Sequence, residues 1–283
     1  SKDGVRFLFN PKKIIGDTFD GYLSYNFWDN IIYDCSFNID NVNKIEKIYN
    51  VKRVIDLGKN NNSSDLIYEI TNDEYDDIDI VVKPTTKYFG SIDKFKYDSH
   101  VRRIVIYNLN TQELLGYITQ DLLSNLKFTY DGGYHFDSRP SYLCFNNKRY
   151  LYFRINNANH VRSVGVVSSD KTCYNFNNYK FVKFINCDHN CCYQMTTFKY
   201  KNNIYAIGHN YNLQNNPNGV KFKSEAIILF KMLTPEKFEQ IKIIESSDNT
   251  RYNFYLLGFT PNQNKEYFFI KKENNILVYT IKE

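Results

Sequence analysis

The sequence predicts an all-β protein in which five antiparallel sheets form a ring, a five-bladed β-propeller. Two observations lead to this fold. A unit recurs about every 60 residues, most clearly as HVRRIVIYNLNT from His100 and HVRSVGVVSSDK from His160. Aromatic residues make up 17% of the chain, which favours strands because flat rings pack well on a pleated surface. Since a repeat of this length holds one four-stranded sheet, we expect one sheet per repeat.

The clearest repeat units lie in the second half of the chain. Alternating and β-branched residues, separated by Asn-rich turns, predict four strands at 138–145, 149–156, 162–169 and 179–185. The next unit repeats this order at 192–200, 204–211, 225–232 and 238–244. Tyr150 and Tyr205 occupy matching places in the two units.

The remaining segments complete the predicted ring. Three strands are expected at 252–259, 266–272 and 276–282, and residues 5–10 are expected to add the fourth, because ring closure removes exposed sheet edges. Upstream, 66–70, 78–83, 102–109 and 114–119 predict a second blade, and 19–56 a degenerate first one. The prediction is therefore a single domain with blades at approximately 11–59, 64–125, 133–185, 190–245 and 250–283 plus 5–10.

Composition narrows the classes of partner. The formal net charge is +5, but no long Lys/Arg run or RNA-binding aromatic signature accompanies it, so a solvated basic surface is favoured over nucleic-acid binding. No apolar run approaches the ~18 residues of a membrane helix, and SKDGVRFLFNPKK lacks a signal-peptide core, so we expect no membrane insertion. The surplus of Lys, Asn, Ile, Tyr and Phe is typical of AT-rich genomes, among them those of giant viruses and some protists.

The six cysteines favour reduced thiols, because disulfide frameworks belong to smaller domains. The cluster CDHNCC at 187–192 contains three thiols and His189, yet Cys191 and Cys192 should point to opposite faces of a strand, and no second CxxC or HxxxH supplies partners. The acidic segment at 72–79 lacks the ordered spacing of a calcium loop and is expected to be solvated. We predict no metal, no cofactor, and a reducing intracellular environment or a virion.

Functional side chains are expected just before each inner strand, because the starts of the inner strands converge in a propeller. In the third blade Pro140 suits the start of a strand, since it cannot donate to a ladder. The polar residues at such places are His135, Asp137 and Arg139 in blade three, Asp188 and His189 in blade four, Arg251 in blade five and Asp20 in blade one.

The segments HFDSRPS, KRYLYFR and RSVGVVSSD resemble blades of the five-bladed β-propeller glycosidases, the superfamily of arabinanases, fructosidases and uncharacterised relatives. The resemblance covers residues 133–245. Residues 168–170 match its SxD turn, with Tyr174 and Phe176 near the place of the Trp that often follows. It implies an inner-strand Asp as base or nucleophile, a Glu as general acid and a supporting Asp.

On this chain the resemblance implies Asp137 as the supporting Asp, Asp20 as the first-blade Asp, and Asp188 or Glu225 as the acid. Two carboxyl groups are needed because one protonates the leaving oxygen while the other attacks or activates water. The residues expected to bind substrate are Arg139, His135, His189 and Arg251.

Two functions are open on the sequence. The first is a carbohydrate-active propeller that hydrolyses or transfers glycosidic bonds through these carboxylates. The second is a non-catalytic propeller that binds glycans or proteins, including a viral structural or surface protein, because an acid motif is missing and Tyr, Asn and Lys are abundant. Either way the expected partner is a carbohydrate or a glycoprotein.

Overall fold

The fold is built from strands throughout the part of the chain that the structure describes. The structure is a computed structural model. It describes residues 8–15, 18–24, 31–38, 50–56, 69–85, 103–119, 135–136, 140–156, 162–189, 191–216, 219–248, 254–262, 265–272 and 275–281. These ranges contain strands, turns and short irregular segments and no helix, so the prediction of an all-β fold is confirmed.

The first of two compact units comprises residues 1–64 and 253–283 and contains two antiparallel sheets. Sheet one has its strands in chain order: β1 (Leu8–Ile15), β2 (Thr18–Ser24), β3 (Ile31–Asn38) and β4 (Asn50–Asp56). Sheet five consists of β19 (Phe254–Asn262), β20 (Lys265–Lys272) and β21 (Asn275–Ile281). Within this unit β1 lies beside β19, so the first strands of the two sheets are neighbours.

The second unit comprises residues 65–252 and contains three sheets. Sheet two is formed by β5 (Glu69–Asp73), β6 (Ile78–Thr85), β7 (Arg103–Asn108) and β8 (Leu114–Thr119). Sheet three is formed by β9 (His135–Phe136), β10 (Ser141–Phe145), β11 (Lys148–Asn156), β12 (Arg162–Asp170) and β13 (Asn177–Phe181). Sheet four is formed by β14 (Lys183–Ile185), β15 (Cys191–Tyr200), β16 (Asn203–Asn216), β17 (Gly219–Thr234) and β18 (Lys237–Asp248).

The N-terminal strand does not have the expected partner. Residues 8–10 were expected to complete the last sheet, but they belong to β1, where Leu8 lies opposite Ser24 of β2. The reason is local, since β1 pairs along its length with β2, the strand that follows it in the chain. Residues 5–7 lie outside the described ranges. The arrangement of all five sheets in one ring, and the single domain that it implies, stay predictions.

The segment 179–185, expected as one strand, is divided between two sheets. Up to Phe181 it belongs to β13 and pairs with β12, whereas Lys183–Ile185 forms β14 and runs parallel to β18. Backbone hydrogen bonds show the change of partner. The N–H of Val182 donates to Val164 of sheet three at 2.9 Å, and the N–H of Lys183 donates to Glu236 of sheet four at 2.8 Å. This segment therefore ties two neighbouring sheets together.

Alternation along the central strands builds the core on both of their faces. In β11, Leu151, Phe153 and Ile155 pack with Ile80 and other buried residues of sheet two. Tyr152 points the other way and packs with sheet four. Because both faces of sheet three are covered there, the middle of β11 is apolar at successive positions, 150–153.

Among the described residues there is no helix with the length and apolar character that crossing a membrane requires.

Candidate functional site

The candidate site lies at the end of sheet four where β15 begins. Antiparallel pairing aligns positions on three further strands with the start of β15. Cys191 of β15 lies opposite Tyr211 of β16, Tyr211 opposite Glu225 of β17, and Ser224 opposite Asp248 of β18. Polar side chains from all these elements therefore share one end of the sheet.

A chain of contacts leads from sheet three into this site. The guanidinium carbon of Arg154 lies 4.2 Å from the ring centroid of Tyr193, and its Nη1 donates to the Tyr193 carbonyl at 3.1 Å. The Tyr193 ring lies 5.3 Å from the ring of His209. Nε2 of His209 is 2.9 Å from Oε2 of Glu225, and both side chains are fully buried. Tyr193 is half-buried, so it is the member of this chain that reaches the surface.

His189 forms the second part of the site. Its Nε2 lies 3.3 Å from the Ser224 hydroxyl, and its carbonyl accepts a hydrogen bond from Nδ2 of Asn210 at 3.1 Å. Burial lowers the pKa of His189, while the carboxylates of Asp188 and Asp248 act in the opposite direction. The ring is therefore mainly neutral at neutral pH.

The two carboxyl groups considered for the general acid differ sharply in their surroundings. Asp188 is exposed beside His189, where a ligand can reach it. Glu225 is fully buried in β17 and pairs with His209, so it does not face solvent. Its role as the general acid stays a prediction.

The first-blade candidate Asp20 is not at the start of an inner strand. It lies in β2, opposite Lys13 of β1 and Ser36 of β3. The expected location is wrong because the first strand already begins at Leu8. His135 lies in β9, opposite Asn156 of β11. The remaining candidates, Asp137, Arg139 and Arg251, lie outside the described residues.

Sequence analysis missed three charged or polar residues inside predicted strands: Glu69, Arg154 and His209. Glu69 is the first residue of β5, and its Oε2 accepts the N–H of Tyr142 in β10 at 2.6 Å. Burial raises the pKa of Glu69 from 4.5 to about 8, against the opposing effect of the Tyr142 N–H. The signal was available, since a polar residue in an apolar strand is more informative than an apolar one.

Ser141 repeats the arrangement of Glu69 in the next sheet. It is the first residue of β10, and its hydroxyl accepts the N–H of Thr197 in β15 at 2.9 Å. Glu69 and Ser141 each lie four positions before the last paired residue of their strand. Equivalent side chains thus join β5 to β10 and β10 to β15. Because Ser141 makes the same type of contact, we interpret Glu69 as a residue that connects two strands and not as a catalytic residue.

No metal centre is formed by the residues that the structure describes, because no three His, Cys, Asp or Glu side chains converge there. All six cysteines are free thiols. Cys191 and Cys192 are both buried, as a strand covered on both faces requires, and Cys187 is half-buried.

Comparison with known proteins identifies the fold. No family model matches this chain, and no curated protein sequence matches it. The GH43 BlXynB protein from Bacillus licheniformis has a similar structure, with a TM-score of 0.50 and 9% identity over 98% of this chain and 53% of that one. The Bombyx mori GH32 beta-fructofuranosidase BmSUC1 gives a TM-score of 0.47 and 10% identity over 97% of this chain and 58% of that one.

An exo-1,5-alpha-L-arabinanase from a bovine ruminal metagenomic library gives a TM-score of 0.42 and 11% identity, over 81% of this chain and 75% of the arabinanase. The chain spans just over half the length of the Bacillus and Bombyx proteins. At 9% identity, the likeness to the Bacillus protein concerns the fold alone. The resemblance inferred from HFDSRPS and its neighbouring segments is confirmed at that level: this all-β chain is similar in fold to the β-propeller glycosidases.

Proposed function

We propose that this chain is a carbohydrate-active propeller that binds a glycan at the end of sheet four where β15 begins. The observation that carries the proposal is the half-buried ring of Tyr193, which contacts Arg154 and His209, five positions along the chain from the exposed Asp188. An oriented aromatic ring offers apolar contact to the C–H groups of a sugar, while a nearby carboxylate accepts hydrogen bonds from its hydroxyls. The shared propeller fold supports this role, although a fold alone does not determine function.

Hydrolysis or transfer at this site requires two carboxyl groups on either side of the glycosidic bond. We assign these roles to Asp137 and Asp188. Asp137 precedes β10 in the sequence, and Asp188 precedes β15, so they occupy matching places in successive sheets. Arg139 is proposed to hold a substrate hydroxyl beside Asp137.

The alternative is a propeller that binds glycans without cleaving them. The burial of Glu225 against His209 favours it, because this pairing removes the one glutamate among the candidate acids. In that case Tyr193, His189 and Asp188 form a recognition surface only. The comparisons give no support to a viral structural or surface role.

The test is to measure hydrolysis of neutral aryl glycosides and binding of neutral oligosaccharides on the same preparations of the wild type, Asp137→Ala and Asp188→Asn. Loss of a catalytic carboxyl group should lower kcat by about 100-fold or more. The control is Asp77→Asn, the same chemical change at an exposed turn of sheet two. Binding without hydrolysis, unchanged in Asp137→Ala, would establish the non-catalytic alternative. Absence of both activities in the wild type would overturn a carbohydrate function.

A further inference from the structure

We infer that β18 of this chain pairs edge to edge with β18 of a second copy, through residues 241–246. The inference concerns an interaction surface and is independent of the proposed glycan-binding function. Two features carry it: an exposed apolar edge of sheet four, and the order of charged residues along that edge.

The edge of β18 is covered over a short stretch only. In sheet four β14 lies beside β18, but it pairs with residues 237–239 alone, and no other described strand pairs with this edge. Further along β18, Ile241 is 51% exposed and Ile243 is 41% exposed. An exposed strand edge with apolar side chains is a template for pairing, because its backbone N–H and C=O groups can bond to the strand of another chain.

A β-bulge places two opposite charges on the same face of the sheet. Ile227 of β17 lies opposite Glu245, and Leu229 of β17 lies opposite Lys242. These two β17 residues are two positions apart and share a face, so Lys242 and Glu245 share that face as well. Without the extra residue that the bulge inserts between Ile243 and Glu245, residues three apart would point to opposite faces.

The spacing of these charges fits a two-fold dimer. An axis between Ile243 and Ile244 sets Lys242 of each copy opposite Glu245 of the other, so the ion pair forms on both sides of the axis. Residues directly opposite in an antiparallel pair lie on the same face, a condition that the bulge fulfils. The isoleucines of both copies meet at the axis, where they bury apolar area.

Lys242 favours this partner over an unrelated strand. A lysine on an exposed edge ordinarily prevents pairing, because its charge meets no counter-charge in an arbitrary strand. In the pairing with a second copy, Glu245 supplies the carboxylate. Both side chains reach the surface, since Lys242 is exposed and Glu245 is half-buried.

The size of the contact sets its strength. A standard interface uses roughly 20–30 residues a side, and the segment 241–246 is much shorter. We therefore expect a weak dimer, with a dissociation constant of about 10–100 µM. Its ion pairs lie near solvent, so association should weaken as the salt concentration rises.

Charge reversal tests the register of the pairing. In analytical ultracentrifugation from about 1 to 500 µM protein, the wild type should change from monomer to dimer. Lys242→Glu and Glu245→Lys should each weaken dimerisation by about tenfold or more, because like charges then lie opposite one another on both sides of the axis. The double variant, and an equimolar mixture of the two single variants, should associate like the wild type, since both restore opposite charges. Lys171→Glu, the same change at an exposed turn of sheet three, is the control.

Hydrogen exchange locates the contact. The amides of 241–246 should exchange more slowly at high than at low concentration of the wild type, and this difference should vanish in Lys242→Glu. A wild type that stays monomeric at the highest concentration would overturn the inference. A dimer that both single variants form as tightly as the wild type, or that leaves exchange at 241–246 unchanged, would do the same. Weaker association that neither the double variant nor the mixture restores would also refute this pairing, whereas restoration excludes misfolding as the cause.

Discussion

Glu69 and Ser141 show how single polar side chains join the inner strands of the second unit. Each accepts a backbone N–H from an edge strand of the next sheet, β10 or β15. Those N–H groups lie on the edge of their strand that the sheet leaves unpaired, so a side-chain acceptor replaces water there. Ser141 does this at no electrostatic cost, whereas Glu69 must remain protonated to avoid a buried charge.

The raised pKa of Glu69 makes stability depend on pH. Between pH 4.5 and about 8 the unfolded chain ionises this carboxyl group while the folded chain keeps it protonated. The folded state then binds more protons, so the free energy of unfolding falls as pH rises through this window. Glu69→Gln keeps the acceptor for Tyr142 and removes the ionisation.

We therefore expect Glu69→Gln to match the wild type near pH 4 and to exceed it by about 2 kcal/mol at pH 8, allowing for partial exposure of Glu69. Urea unfolding at both pH values measures this difference. Glu113→Gln, the same change at an exposed position, should have no effect at either pH. An equal difference at pH 4 and pH 8 would show that Glu69 does not titrate in this range.

At the scale of elements, hydrogen bonds from sheet three to the last residue of β5 and to the turn after it connect sheet two with sheet three. Nε of Arg149 donates to Oδ2 of Asp73 at 2.6 Å, and Tyr142 and Tyr174 donate to the same oxygen at 2.6 and 2.9 Å. Nη2 of Arg149 also donates to Asp76 at 2.8 Å. The expectation of a solvated acidic loop is wrong for Asp73, which is fully buried because sheet three supplies a cation for it.

Asp73 remains ionised among these hydrogen-bonded side chains. Burial alone would raise its pKa, but the hydrogen bonds from Arg149, Tyr142 and Tyr174 outweigh burial and lower the pKa to about 2. The stabilisation is fully present above pH 3.8, the ordinary pKa, and is lost as pH falls toward 2.

Asp73→Asn should destabilise the protein by about 3–5 kcal/mol at pH 7, because it leaves the buried guanidinium of Arg149 without its main counter-charge. The midpoint of urea unfolding at pH 7 measures this loss. Asp77→Asn is the matched control, since Asp77 lies exposed in the same turn with a positive φ of 51° that Asn also tolerates. A loss below about 1 kcal/mol in Asp73→Asn would mean that Arg149 finds another acceptor.

At the scale of the whole molecule, the predicted single ring implies one cooperative unfolding unit. We expect calorimetry of the full chain to show one transition, with equal calorimetric and van't Hoff enthalpies. Two separate transitions would show instead that the compact units 1–64 with 253–283 and 65–252 unfold independently.

Local patterns predicted most of the strands because they depend on neighbouring residues only. The expected strands at 149–156 and 204–211 correspond closely to β11 and to the first half of β16, with Asn-containing turns before each. Predictions failed where a partner strand decided the outcome. The alternation in 179–185 breaks at Val182, which follows another apolar residue, but the change of hydrogen-bond partner there depends on sheet four.

The candidate site was only partly predictable for the same reason. Asp188 and His189 were identified because they immediately precede a clear strand. Arg154 and His209 were missed because they lie within strands, where their position along the sequence gives no sign of a shared site.

The sequence by itself determined the all-β architecture, the repeat and the resemblance to glycosidase propellers, since alternation, turn residues and repeat length are properties of short segments. Only the tertiary structure decided which acidic groups are available. Glu225 is buried and paired with His209, 16 residues away in the chain. Asp73 is buried and paired with Arg149, 76 residues away. Burial and ionisation depend on which side chains converge in space, and that convergence is set by the pairing of strands distant along the chain.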